Sequence, residues 1–278
     1  MNKKSTLSQK LCTSPHIVWS AIFIVVPLIM VLYYAFTDAN GAFTLANITR
    51  LGDYTTTFLR SIWYGIVATI ICLIIAYPLA YIIAQSKARV QSTMVMLVMI
   101  PMWMNFLLRT YSWMTLLEDT GVINTILGKI GIGPFHMINT SGAVILGMVY
   151  NFLPYMILPI YTVMTKLDRS LIEAAQDLGA NKLRVIKDVI FPTTLSGVVS
   201  GITMVFVPSV STFYISQKLG GGSFALIGDI IEMQFQVSNN FNFGAALSLV
   251  LMVLILICMA IMNKFGDTED DARGGMMI

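Results

Sequence analysis

Six stretches free of Asp, Glu, Lys and Arg run through the chain: Leu11–Thr37, Ser61–Ser86, Val90–Leu108, Ile130–Thr165, Val189–Gln217 and Met233–Asn263. A charge at the centre of a bilayer costs at least ~2.5 kcal/mol, and a crossing helix needs about 20 mostly apolar residues. Each stretch can therefore hold one span, with helices predicted over 17–36, 62–84, 93–108, 142–164, 195–216 and 244–262. The runs are continuously apolar where a membrane barrel strand alternates over ~10 residues, so the spans are helical. A soluble domain is excluded on the same ground, because 11% of the 278 residues are charged against about a quarter in soluble domains. The expected architecture is an all-α integral membrane protein of six transmembrane helices.

Basic residues set the orientation. The first apolar run follows Lys3, Lys4 and Lys10 in the manner of a signal peptide. It is longer than the usual apolar core of about 7–15 residues and has no A-x-A site, so it reads as a retained span. With residues 1–16 inside, the cytoplasmic segments hold Lys3, Lys4, Lys10, Lys87, Arg89, Lys166, Arg169, Lys182, Arg184, Lys187, Lys264 and Arg273, 12 of the 17 basic residues. Arg50, Arg60, Arg109, Lys129 and Lys218 remain outside. That split favours six spans with both termini cytoplasmic. The net charge of +3 then reports topology, and a nucleic-acid partner is set aside. The layout is a first helix over 17–36, a core of five helices over 58–262, and a polar tail over 263–278 with no apolar periodicity, expected to be mobile and assigned no function. Outer segments 37–61 and 109–141 mix Gly, aromatic and charged residues and are expected at the mouth of a passage.

Catalysis has little to stand on. No G-x-x-x-x-G-K-[ST] loop occurs, since Gly128-Lys129 is followed by Ile130 and Gly220-Gly221-Gly222-Ser223 lacks the lysine. His16 and His136 are too far apart in the chain for a histidine-rich metal site, so no metal is expected, and no Ser/His/Asp or Cys/His set suggests a nucleophile. Cys12, Cys72 and Cys258 form no motif and read as packing residues. Pro78, Pro101, Pro154, Pro159 and Pro208 fall in or beside the spans, where kinks either shape a pathway or only aid packing.

The segment Lys166–Pro192 reads as two short helices meeting at a turn. Ser170 with Glu173 forms a capping box and Gly179 a stop, while Leu171, Ala174, Ala175 and Leu178 share one face. An interfacial helix fits this pattern. So does a helix lying in the groove of another protein, because small residues allow close approach. The segment resembles the EAA loop of importer-type ABC transporter permeases: Glu-Ala-Ala, three residues, Gly, nine residues, Ile, one residue, Leu-Pro. Glu173, Ala174, Ala175, Gly179 and Pro192 stand at that spacing, with Val189 and Phe191 replacing Ile and Leu. The resemblance implies the type I ABC importer permease architecture in a bacterial cell membrane. It implies that these five residues couple to a separate cytoplasmic ATPase that binds ATP and Mg, and that this chain holds no cofactor and catalyses no reaction.

A second set lies on the outer side: Trp103, Asn105, Arg109, Tyr111, Trp113, Glu118 and Asp119, with Asp229 and Glu232 further along. An interfacial aromatic belt with a snorkelling Arg109 accounts for it. Aromatic faces beside carboxylates also suit an extended polycation. The outer charge is nearly balanced and does not choose. Trp103, Asn105, Arg109-Thr110-Tyr111 and Trp113, with Gly221-Gly222 through Ile227-Gly228, Gln234-Phe235 and Phe243-Gly244-Ala245-Ala246, resemble the spermidine/putrescine branch of the permeases. That branch implies a second, similar permease, two copies of an ATPase and an extracytoplasmic polyamine-binding protein as partners. The same architecture carrying an opine, an amino-acid-like solute or an iron complex is the nearer alternative. A membrane enzyme or passive channel would need intramembrane acids or a filter motif that the spans lack.

Overall fold

The computed structural model describes residues 15–222 and 224–274, and among them every regular element is helical, with one isolated bridge between Thr37 and Phe43. In chain order these are α1 (Pro15–Ala35), α2 (Thr55–Gln85), α3 (Ala88–Trp103), α4 (Phe106–Leu117), α5 (Val122–Lys129), α6 (Ser141–Met164), α7 (Arg169–Asp177), α8 (Lys182–Thr193), α9 (Leu195–Ser211), α10 (Tyr214–Leu219), α11 (Ile227–Gln236) and α12 (Phe241–Gly274). Four helices are long and apolar enough to cross a membrane: α1, α2 with its lead-in from Ala46, α6, and α12 as far as Met262. Two further pairs are bent, α3 with Phe106–Lys129 by 90° and α8 with α9 by 69°, which makes up to six spans if each pair is one.

The bends depart from the sequence expectation. A continuous helix over 93–108 is interrupted at Met104, whose backbone is extended, and Asn105 starts α4 by accepting from the Leu107 N–H at 2.8 Å. An asparagine side chain at an N-cap competes with helix continuation, and apolar periodicity does not register it. The helix expected over 195–216 stops at Ser211 because Thr212 is extended. The last helix continues to Gly274 through the polar residues where a mobile tail is expected. Extending an existing helix fixes one residue per added hydrogen bond, so polar composition alone does not stop it.

Prolines account for two other irregularities. Five-residue π stretches, Ala21–Val25 and Ile186–Ile190, end two residues before Pro27 and Pro192. A proline has no N–H and clashes with the carbonyl four residues earlier, and a widened turn just upstream accommodates both.

The chain forms two compact units, one of residues up to Thr55 with Ile230–Val253 and the other of Thr56–Asp229 with the chain from Leu254 onward. In the first, Ala35 packs with Ala245, Ala246 and Leu249. There the Asn242 amide donates to the Thr37 carbonyl at 2.8 Å, and the Arg50 guanidinium lies 4.7 Å from the Phe243 ring centroid. The most apolar window of α1 is otherwise uncovered.

The second unit is built on α6 and α9. Lipid is as apolar as leucine, so helices in a bilayer associate through backbone proximity and packing. Gly197 and Gly201, one turn apart on α9, provide that proximity. A Cβ on Gly197 would stand 3.0 Å from the Pro159 carbonyl oxygen and 3.2 Å from the Ile160 Cα, and one on Gly201 3.2 Å from the Met156 carbonyl. On α2 the buried face steps through Ser61, Gly65, Ala68, Cys72, Ala76 and Ala80, small residues at helical spacing. We expect Gly197→Leu to prise α9 from α6 at a cost of ~1–3 kcal/mol, lowering the melting temperature of the purified chain in detergent. Gly128→Ala, where an added Cβ meets nothing within 4 Å, should leave it in place; equal melting of Gly197→Leu and the parent would refute the close-packing account.

Candidate functional site

The loop between α6 and α9 folds as two capped helices. Asp168, extended at φ −70 and ψ 121, accepts from the Ser170 N–H at 2.9 Å and is the N-cap of α7. The expected Ser170–Glu173 box is therefore replaced, since Ser170 lies inside the helix. An aspartate already two residues upstream of a free N–H reaches it without the pairing that the box requires. Hydrogen bonds from the Ser170 backbone and hydroxyl hold the Asp168 carboxyl below its ordinary value. At the other end Gly179 takes φ +83, its N–H meeting the Gln176 carbonyl at 2.8 Å while the Ala180 N–H reaches back to Ala175 at 3.0 Å. This pair of hydrogen bonds is the Schellman ending, which glycine makes without strain. Asn181 at once caps α8 by accepting from the Arg184 N–H at 2.9 Å.

The expected shared face divides in two. Ala175 turns with Ile172 toward the core of the second unit, whereas Leu171, Ala174 and Leu178 are exposed. Leu178 at 89% and Leu183 at 78% exposure flank the Gly179 turn, and Glu173, Lys182, Arg184 and Lys187 of the same loop are exposed as well. A turn with two bare leucines and no Cβ neighbour at Gly179 has the form of a docking surface. It is anchored by the buried Val185 and Ile190.

Pro192 belongs to the elbow between α8 and α9. There the buried Thr194 hydroxyl donates to the Ile190 carbonyl at 2.8 Å and lies 3.1 Å from the Tyr77 hydroxyl. Tyr77 also rests on Phe191, ring centroids 5.7 Å apart, just before Pro78 in α2. The elbow is thus pinned to α2 by one polar and one aromatic contact.

The second predicted set divides among separate roles. Trp103 ends α3 with 74% exposure, Asn105 caps α4, and Trp113 packs edge-on against Tyr150 of α6 at 5.2 Å. Arg109 is 7% exposed, and its Nε and Nη1 have no hydrogen-bond partner among the described residues; the Asn151 amide oxygen, also buried, is likewise unmatched. Asp119 is held by His136, Nδ1 to Oδ1 3.0 Å, and Glu118 is exposed at the end of α4. Asp229 is buried at the start of α11, where its side chain reaches back to a backbone N–H. Its carboxylate accepts from the Leu226 N–H at 2.6 Å and the Ser216 hydroxyl at 2.9 Å, while Ser61 accepts from the Ile227 N–H at 2.8 Å. Glu232 follows on α11 in the first unit. Among the described residues no group of three or more His, Cys, Asp or Glu side chains is placed to hold a metal ion. Tyr111 instead meets Tyr214 and Lys218 of α10, two residues that the sequence pattern did not single out because they sit at the frayed end of an apolar run.

Residues 76–267, which include the loop, match the model of the family described as binding-protein-dependent transport system inner membrane component. The chain is 36% identical over 87% of its length to the spermidine/putrescine transport system permease protein PotB of Haemophilus influenzae, covering 88% of that protein. To the PotB of Escherichia coli K12 it is 36% identical over 83% of its length and 88% of the relative's. To the inner membrane ABC transporter permease protein YdcU of that organism it is 28% identical, over 84% and 81%. Among solved structures, a bacterial ABC transporter involved in the import of the acidic polysaccharide alginate matches in fold with a TM-score of 0.74 at 17% identity, covering 91% of this chain and 93% of that one. The methionine ABC transporter MetNI matches with a TM-score of 0.54 over 78% and 94%. Helices of membrane length, with the family match, make the chain a multi-pass membrane component of a transport system. The chain belongs to the binding-protein-dependent transport system inner membrane component family.

The caps yield a measurable expectation. A carboxylate whose pKa is lowered on folding stabilises above its unfolded value and loses that effect as pH falls through the folded one. The Asp168 cap should hold across pH 5–8 and weaken only below the ordinary carboxylate value of about 3.9. Asp168→Ala should speed amide hydrogen exchange at Ser170–Ile172 while leaving α6 unchanged. Unaltered exchange in that first turn would show that α7 does not depend on this cap.

Proposed function

We propose that this chain is one transmembrane half of an ATP-driven importer for polyamines of the spermidine and putrescine class. The cargo rests on the 36% identity to PotB proteins over more than four-fifths of the chain. Six spans are assigned, the two bent pairs counting as one each, with both termini in the cytoplasm as the basic residues favour. A second permease completes the passage, two copies of an ATPase hydrolyse ATP with Mg below it, and an extracytoplasmic binding protein delivers substrate above. No reaction takes place on this chain.

The coupling follows from the loop. Leu178, Gly179 and Leu183 enter a cleft of the ATPase, with Glu173 and Ala174 beside them, and Ala175 and Pro192 hold the loop to its own subunit. Closure of the ATPase pair moves α7 and α8 as a capped unit. The Thr194 elbow passes the movement to α9, and α9 moves with α6 because their backbones are in contact. The binding protein and the ATPases thus bias one two-state passage from opposite sides. Trp103, Asn105, Tyr111, Trp113, Glu118, Asp119 and Glu232 are assigned to the passage. Asp229 acts there indirectly, by setting the start of α11.

One observation favours the other cargo. The buried Arg109, whose Nε and Nη1 have no partner among the described residues, suits a carboxylate, as an opine or amino-acid-like solute would supply. Labelled spermidine uptake in source cells with and without the chain separates the two. Loss of energy-dependent uptake on deletion, competed by putrescine and not by an opine or an iron chelate, is expected; uptake unchanged in cells without a redundant system would remove the polyamine assignment. Gly179→Asp should cut uptake at least about tenfold, the effect of ~1.4 kcal/mol at a docking contact, and Glu173→Ala should reduce ATPase co-purification. Gly179→Asn keeps a residue tolerant of positive φ, so its failure would point to docking rather than to the helix end.

A further inference from the structure

The contact between α4 and α10 holds a cation of the protein's own. Tyr111 and Tyr214 meet edge to face with ring centroids 6.1 Å apart, and Phe106 adds a third ring 6.0 Å from Tyr214. The Lys218 Nζ, one turn beyond Tyr214 on α10, lies 5.4 Å from the Tyr111 centroid and 5.7 Å from that of Tyr214. No carboxylate among the described residues forms an ion pair with it. Both distances fall within the range in which an ammonium is attracted to a ring face. Tyr111 is 41% exposed and Lys218 partly so, leaving the pair open to a ligand. A cavity of about 430 Å³ lined by Phe106, Phe152, Pro208, Ser211 and Tyr214 borders the same ring, which is room for a linear amine.

We propose that Tyr111 and Tyr214 form an alkylammonium-binding point that the Lys218 ammonium occupies until an ammonium of the cargo exchanges for it. The proposal rests on the polyamine reading above. A primary ammonium on a four-carbon stem is the chemical end of a polyamine, so Lys218 fills the site with the group that the cargo presents. The arriving ammonium displaces an equal charge from the same faces, and the exchange leaves no empty aromatic pair and no unpartnered cargo. The site therefore binds weakly and releases readily, because the tethered competitor is always at hand. Its effective concentration is that of a short tether, in the millimolar range.

The test uses the complete transporter, purified with its partner permease and ATPase in lipid nanodiscs without binding protein, and radiolabelled spermidine as the probe. Lys218→Met removes the competitor and keeps the length of the side chain; it should tighten spermidine binding about three- to tenfold, the worth of one cation–π contact. Tyr214→Leu should weaken binding by a similar factor, and Lys218→Arg should restore the parent affinity, since a guanidinium sits on the same faces. Binding unchanged in Lys218→Met, or weakened by it, overturns the exchange site. If chain-dependent spermidine uptake persists in cells, that result leaves the polyamine reading standing. Absence of chain-dependent uptake together with no spermidine binding by parent or Lys218→Met overturns both.

Discussion

Backbone contact between α6 and α9 is the constraint on which the second unit depends. Elsewhere in a bilayer protein the solvent offers apolar side chains much the same environment as a neighbouring helix does. Where Gly197 and Gly201 bring α9 within van der Waals reach of the Pro159 carbonyl and the Ile160 Cα, lipid cannot substitute. The two helices therefore behave as one body. α6 carries Tyr150 against Trp113 of α4, and α9 begins at the Thr194 elbow. One rigid pair thus stands between the exposed loop and the aromatic end of the unit.

The elbow shows how a bend of 69° is made stable. The proline at 192 removes a donor, the π stretch before it widens the turn, and the Ile190 carbonyl keeps the Thr194 backbone N–H at 3.0 Å while the Thr194 hydroxyl adds a bond at 2.8 Å. An unsatisfied carbonyl in hydrocarbon costs several kcal/mol, and the Thr194 N–H with the Thr193 and Thr194 hydroxyls keeps this one satisfied through the bend. The link to Tyr77 places that donor against α2 beside Pro78. The joint is thus supported on two sides.

Much of this was legible in the sequence. The charge-free stretches located every membrane-length helix, because the cost of a buried charge is large and local. The EAA spacing located the loop, and its glycine takes the left-handed conformation that such a position demands. The breaks were less visible. Met104 and Thr212 end helices, and Asn105 starts one, inside unbroken apolar runs, where composition has no periodic signal to lose. Asp168 and Ser170 both fit the start of α7, and the choice between them depends on backbone angles. Asp229 looked like a free acid because the residues that engage it, Ser216 and the Leu226 N–H, come together only through the turn between α10 and α11. The pairing of Tyr111 with Tyr214 spans about a hundred residues and has no local pattern at all.

The placement of charge bears on how a polycation can pass. A carboxylate 4 Å from an ammonium gains ~4 kcal/mol at an effective dielectric constant of 20, enough to slow release about a thousandfold. An aromatic face offers ~0.5–1 kcal/mol at an exposed site. Of the acids considered for the passage, Asp229 is committed to a helix start and Asp119 to His136, while fixed cations stand at Arg109 and Lys218. The Tyr111 ring beside Lys218 remains accessible. In the proposed polyamine importer, a passage so lined would hold an amine loosely at any one point, and directionality would then come from the movement of the helices rather than from tight binding within the membrane.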